Sequence, residues 1–224
     1  MQVDIWSDVM CPWCAVGYAH FTKARDMLAG ELDLALRWMP FELDPDIPPA
    51  GTTLQHRMES VYGYPPEDAR AAVAKMRDAA REAGFPLDYT GGESPAPEPM
   101  MWNTFAAHKL LRWAFAYRGE AAQTALKLAL FDAHFRQRRN VSDSAVLCEI
   151  AGGVEGLWAE GAAEALADPT LEMAVRVEQG RAREAGLSSV PTFVVAGKYA
   201  LQGAQPPEAL VDAFRQIAAR EAAA

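Results

Sequence analysis

Positive charge is in short supply: 21 Lys and Arg stand against 30 Asp and Glu, a formal net charge of −9 over 224 residues. A nucleic-acid binder needs a cationic footprint to displace counterions from the phosphate backbone, so that class is excluded. Nowhere do about 18 apolar residues follow one another without charge, so neither a membrane-spanning helix nor a membrane partner is expected. The opening Met1-Gln2-Val3-Asp4-Ile5-Trp6 has no basic stretch followed by an apolar one, and a cytoplasmic location is the expectation. Cysteine is scarce, at three residues, too few for a disulfide-stapled scaffold. Structural zinc wants four ligands, usually from two pairs. Beyond Cys11 and Cys14 the chain offers Cys148 and four scattered histidines, so no metal is expected. The remainder, 50% hydrophobic and 23% charged, is the balance of a globular chain with a sizeable core.

The two ends have one character and the middle another. Residues 2 to 7 read as a strand, and a helix follows to about Ala29, with Gly17, Phe21, Ala24 and Leu28 on one face and Gly30 as its stop. Residues 32 to 38 alternate, Leu32, Leu34, Leu36 and Trp38 against Asp33, Ala35 and Arg37, which predicts a second strand. A proline-rich linker from Asp44 to Gly51 then opens a stretch whose signals are nearly all helical. Helices are predicted from Pro65 to Gly84, near 101 to 118 and 120 to 138, from a Ser142 cap with a Val141 and Val146 staple, and from Asp168-Pro169 to Gly186. Strand character returns at Val190 to Val195. A turn at Ala196-Gly197-Lys198, a partner strand at Tyr199 to Leu201 and a helix from Pro206-Pro207 complete the chain. This predicts an α/β fold built from both termini, at 1–44 and 187–224, around an all-helical insertion at 45–186.

Cys11-Pro12-Trp13-Cys14 falls at the first strand-to-helix junction. Pro12 suits the first helical position, which makes Cys11 the N-cap, where free backbone N–H groups and the helix dipole would stabilise its thiolate. Cys11 is then a nucleophile. Cys14, one turn further in and screened from solvent, can resolve a mixed disulfide. The intervening pair sets the reduction potential, about 30 mV for each 1.4 kcal/mol.

The Cys-Pro-Trp-Cys after a first strand, the helical insertion, and Val190-Pro191-Thr192-Phe193 leading into a hairpin together resemble the DsbA-like branch of the thioredoxin superfamily. Ser7-Asp8-Val9-Met10 before the motif, Asn103-Thr104 with Ala107-His108-Lys109-Leu110, and Gly203-Ala204-Gln205-Pro206-Pro207-Glu208 are similar to the FrnE-type dithiol oxidoreductases. The resemblance covers essentially the whole chain. It implies a thioredoxin-like fold with a large helical insertion, Cys11 as nucleophile, Cys14 as resolving cysteine, and Pro191 as the cis-proline facing them. It also implies a Val190 backbone able to pair with an extended substrate. The resulting expectation is a thiol-disulfide oxidoreductase, reductase, isomerase or oxidase. Its partner would be a thiol- or disulfide-containing protein or small molecule. No resident cofactor is needed beyond the Cys11–Cys14 couple, with glutathione open as co-substrate and a homodimer left open.

Two other readings compete. Glutathione-dependent 2-hydroxychromene-2-carboxylate isomerases and kappa-class transferases share the fold but carry a single Ser at the first cysteine and an acidic residue before the last helix. Gly203-Ala204-Gln205 stands there in this chain. A chaperone-like binding module is the third. Among individual residues, Trp13 is expected as an exposed platform for a partner, with Pro12 and Val190 beside it. Asn103 and His108 are candidate substrate contacts or a buried polar pair. Asp8 is a candidate for tuning proton transfer, or a helix-cap or solvated residue. His20 is expected at the surface and Cys148 as a packed, inert thiol. Trp102, Phe105, Trp113, Phe115, Phe131 and Phe135 are expected in the core.

Overall fold

A computed structural model describes residues 1–61 and 63–223. Strand β1 (Gln2–Ser7) leads into helix α1 (Pro12–Met27) and strand β2 (Ala35–Pro40). A parallel pair needs a crossover, and α1 supplies it: β1 and β2 pair in parallel from Gln2 opposite Ala35 to Ser7 opposite Pro40. At the other end of the chain, β5 (Thr192–Val195) and β6 (Tyr199–Gln202) form a hairpin, and β5 lies antiparallel to β1. The mixed sheet runs β2-β1-β5-β6, with the last helix α8 (Pro207–Ala222) packed beside α1. The sheet built from both ends of the chain, with the helices between them, is the α/β arrangement expected from the sequence.

The sheet contributes Val3, Ile5, Leu36, Trp38, Phe193 and Val195 to the main core. Phe21, Ala24 and Leu28 of α1 join them, with Leu210, Phe214 and Ile217 of α8. Phe21 stacks on Phe193 at 6.2 Å and meets Phe214 edge-on at 6.1 Å, so strand and both helices share one aromatic contact. Strand β2 starts later than the alternation predicts because its partner does: β1 begins at Gln2, so Leu32 to Leu34 have nothing opposite them. Leu34 is still buried, which is why the alternation extends past the ladder.

Between the two halves lie α2 (Leu54–Ser60), α3 (Pro66–Ala83), α4 (Phe105–Phe131), α5 (Ser144–Gly152), α6 (Ala159–Ala167) and α7 (Pro169–Glu184). Helix α4 is two helices joined at Gly119, whose φ of 74° and ψ of −160° are open to glycine and costly for other residues. Its end runs into a π-helical turn, Asp132–Arg136. A two-residue ladder, β3 (Thr52–Thr53) with β4 (Met100–Met101), was not visible in the sequence. The cap of α5 is Asp143 and not Ser142. The Asp143 carboxylate accepts from the N–H groups of Ala145 (2.8 Å) and Val146 (3.1 Å), while Ser142 is held by the Asn140 side chain. Of the six aromatics expected in the core, Phe131 is fully buried and the other five are partly exposed. Among the described residues, no helix is long and apolar enough to cross a membrane.

The outer edge of β2 would leave backbone groups unpaired. The second half of α4 covers it with polar side chains. Glu120 accepts from the Leu36 N–H at 2.9 Å. Gln123 accepts from the Trp38 N–H at 2.9 Å and donates to the Trp38 carbonyl at 3.0 Å. Gln123→Leu removes both partners of one buried residue and is expected to cost about 3 kcal/mol in urea unfolding. A loss well under 1 kcal/mol would show that the edge is satisfied in another way.

Candidate active site

The turn after β1 delivers Cys11 to the N-cap of α1, with extended dihedrals (φ −90°, ψ 108°) and Pro12 in the first helical position. The Cys14 N–H donates to the Cys11 carbonyl at 3.0 Å, closing the first turn. Both cysteines are free. The Cys11 sulfur takes no hydrogen bond from the helix N–H groups; its thiol donates to the Val190 carbonyl at 3.6 Å. The bond between Val190 and Pro191 is cis. Gly17 lets α1 approach this segment, since a Cβ there would sit 2.8 Å from the Pro191 ring.

Exposure separates the motif. Trp13 is 40% exposed, Cys11 3% and Cys14 not at all. Burial and the neighbouring Cys11 push the Cys14 thiol well above the ordinary range, so in the reduced state Cys14 holds its proton. Pro12, Trp13, Val190 and Cys11 line one cleft, of about 1200 Å³ including its open mouth, whose opposite wall carries Met58 of α2 and Met76 of α3.

Other expected contacts lie elsewhere. His108 is buried, with Nε2 3.7 Å from Asp8 Oδ1, and it sits behind the motif rather than in the cleft. Asn103 is structural: its Oδ1 accepts from the Phe105 N–H at 3.0 Å, and its Nδ2 donates to Glu42 and to the Pro45 carbonyl. It thereby ties the loop after β2 to the start of α4. Asp8 is buried, not solvated. Its carboxylate accepts from the Leu43 N–H at 2.7 Å and its carbonyl from the Cys11 N–H at 3.3 Å, which fixes the turn that presents the dithiol. Burial pushes its carboxyl up, but His108 and the Leu43 N–H outweigh that and hold it below the usual range. His20 is partly exposed and meets the Gln205 carbonyl at 2.9 Å. Cys148 on α5 packs against the helical core, and burial raises its thiol. Among the described residues no cluster of three or more His, Cys, Asp or Glu could hold a metal ion.

Lys127 was missed in the sequence. On the sheet-facing side of α4 it is fully buried, and its ammonium has no hydrogen-bond partner. It lies 5.2 Å over the Trp38 ring and 4.9 Å over that of Phe131, within the electrostatic reach of Cys14, Asp8 and Cys11. Burial lowers it to about 8, against the opposing pull of those three groups. The signal was present: Leu126, Leu130 and Phe131 form an apolar stripe in which a lysine is out of place.

A family model described as a DSBA-like thioredoxin domain matches residues 2–215. The crystal structure of a probable DsbA oxidoreductase from Streptomyces coelicolor superposes with a TM-score of 0.84. It is 32% identical, over 96% of this chain and 89% of that one. The Bacillus subtilis protein YwbO, described as uncharacterized, is 27% identical over 197 residues, 87% of this chain and 86% of its own. The cytosolic disulfide reductase DsbM from Pseudomonas aeruginosa, solved with GSH, shares the fold at a TM-score of 0.64. Its identity is 22%, over 98% of this chain and all of that one.

The lysine makes a pH prediction. A folded value near 8 lies below the unfolded value of about 10.4, so between these limits the unfolded chain binds the extra proton and wild-type stability gains as pH rises. Lys127→Met removes that contribution. The reduced variant is expected to be the more stable by about 3 kcal/mol at pH 7, with the gap narrowing from about pH 8 to 10. Urea unfolding at several pH values measures it; a gap constant with pH would show that Lys127 does not titrate in that window.

Proposed function

The chain belongs to the family of DSBA-like thioredoxin domains, and on that premise we propose that it is a dithiol-disulfide oxidoreductase of the FrnE type working as a reductase. The observation that carries the reading is the asymmetry of the pair. Cys11 faces the cleft beside Val190 while Cys14, one turn behind, is fully buried and protonated. One sulfur is offered to a substrate and the other is kept for resolution.

In the proposed cycle the Cys11 thiolate attacks one sulfur of a substrate disulfide, the substrate S–S bond breaks, and the first thiol leaves. Cys14 then attacks the Cys11 sulfur of the mixed disulfide, the second thiol leaves, and Cys11–Cys14 becomes the disulfide. Two electrons pass from the protein to the substrate, and the two thiol protons end on the two products. For Cys14 to attack it must lose its proton. That proton leaves with the departing substrate thiolate, and Lys127, fully buried and within the electrostatic reach of Cys14, is proposed to stabilise the negative charge as it forms. Val190, which lines the cleft with its carbonyl next to Cys11, is the proposed backbone partner of the substrate.

The reductase direction is supported by how the reduced pair is held. The Cys11 sulfur takes no helix N–H bond and Cys14 is kept as a thiol. A strong oxidant instead stabilises its reduced thiolate. A cytoplasmic setting, with glutathione as co-substrate, belongs to the same reading and is supported by the likeness to the cytosolic DsbM, solved with GSH.

Equilibration in glutathione redox buffers, read by Trp fluorescence, is expected to place the couple nearer about −270 mV than about −120 mV. Cys11→Ser is expected to abolish disulfide reduction. Cys14→Ser should accumulate a mixed disulfide at Cys11, visible by mass spectrometry of the intact protein. Turnover of Cys14→Ser at the wild-type rate would sink the mechanism.

A further inference from the structure

The cleft beside Cys11 continues into a second compartment, of about 630 Å³ including its mouth, that the redox chemistry does not use. The two share Met10, Pro12, Leu54, Val73, Met76 and Met101, so they adjoin in one passage beside the dithiol. Most of its lining is apolar, and methionines, which adapt to irregular shapes, supply much of it. The polar residues that line it are three: Arg77 of α3, His134 of the π-helical turn, and Arg138 just beyond that turn. Among the described residues no carboxylate lines the compartment.

Among the described residues none of these three groups has an ionic partner. Among the described residues neither Arg77 nor Arg138 is in a salt bridge, whereas their sequence neighbours Arg81 and Arg136 are paired with aspartates. Arg138 lies over the Tyr89 ring at 5.0 Å, and its guanidinium feels the like charge of Arg77. His134 is more than nine-tenths buried, and its Nδ1 has no hydrogen-bond partner. Burial lowers it to about 4, so at neutral pH it is an uncharged imidazole with one N–H to donate. Two adjacent unneutralised arginines in a chain of net charge −9 and a buried imidazole without a partner describe a place for an anionic group.

We propose that this passage binds a small organic disulfide, or the thiol it yields, with its apolar body along the methionine walls. Its carboxylate is held by Arg77, Arg138 and His134, and its sulfur is presented to Cys11. The proposal rests on the oxidoreductase reading and names the substrate class for the same site. Access supports a small substrate over a folded protein: Cys11 is only 3% exposed, and its opening is the cleft walled by α2 and α3. The chemistry is the exchange already described, with the organic disulfide reduced by two electrons to two thiols as Cys11 and Cys14 are oxidised.

The test compares single-turnover reduction of two aryl disulfides by the fully reduced protein. One is dithiobis(nitrobenzoate), which carries carboxylates, and the other is dithiodipyridine, which is uncharged. The double variant Arg77→Gln, Arg138→Gln is expected to lower the ratio of the two rates by about tenfold or more, the loss expected for charge-assisted hydrogen bonds. Using the ratio removes any general effect on folding or on the dithiol. In parallel, naphthoate binding to Cys11→Ser by calorimetry tests the compartment without redox chemistry. Binding lost on adding the two Arg substitutions is the expected result. An unchanged rate ratio, or naphthoate binding indifferent to the arginines, overturns this substrate class and leaves the redox reading standing. Reduction of neither disulfide by the wild type, with Arg-dependent naphthoate binding intact, overturns the redox reading and leaves only the anion site.

Discussion

The open edge of strand β2 governs more of this molecule than any other feature. A parallel strand at the border of a sheet exposes N–H and C=O groups that must find partners, and here a helix supplies them through Glu120 and Gln123. Residues four apart share a helix face, so fixing Gln123 against Trp38 also fixes Lys127 and Phe131 one and two turns further along. Phe131 enters the core of the sheet, and Lys127 is carried beneath the dithiol. The helical portion is therefore more than a lid on a thioredoxin-like base: one of its side chains reaches the buried groups behind the motif.

Behind the motif lie buried groups of opposite sign. Asp8 stays ionised because N–H donors and His108 outweigh its burial, and Lys127 is disfavoured as a cation because it is buried against the Trp38 and Phe131 rings with no hydrogen-bond acceptor. Between them Cys14 keeps its proton. None of the three is paired in a tight salt bridge, and a buried charge without such a partner changes its protonation readily when a neighbour gains or loses charge. The arrangement suits the dithiol-disulfide cycle proposed for the pair, in which charge appears and disappears close to both sulfurs.

The parts legible in the sequence were those fixed by local rules. Cys11 and Pro12 mark a helix start, Gly84 and Gly186 mark helix ends, and Val190 to Leu201 reads as a hairpin because a β-branched run leads into a glycine turn followed by Tyr199 to Leu201. The misplaced parts depend on a distant partner. Strand β2 begins where β1 offers a residue to pair with, and Asp143 displaces Ser142 as a cap because Asn140 holds the serine. The two-residue β3–β4 ladder joins segments nearly fifty residues apart. Asn103 and His108 are polar residues near the motif in space but turned to structural work, which no spacing rule distinguishes from substrate contact. Lys127 was the opposite case: a charge in an apolar stripe is a readable signal, but its partner, Cys14, lies 113 residues away in sequence.

The place of β1 at the middle of the sheet has a consequence for how the protein is made. One neighbour, β2, leaves the ribosome soon after it, but the other, β5, pairs Val195 with Val3, 192 residues back. Chains emerge at roughly 5–20 residues per second, so the central strand waits on the order of ten seconds or more with one side unpaired. During that interval the nascent chain carries Cys11 and Cys14 without the Val190 segment that later covers them. Protection of the dithiol is thus among the last events of synthesis, and until then the pair is open to the redox poise of whatever surrounds the nascent chain.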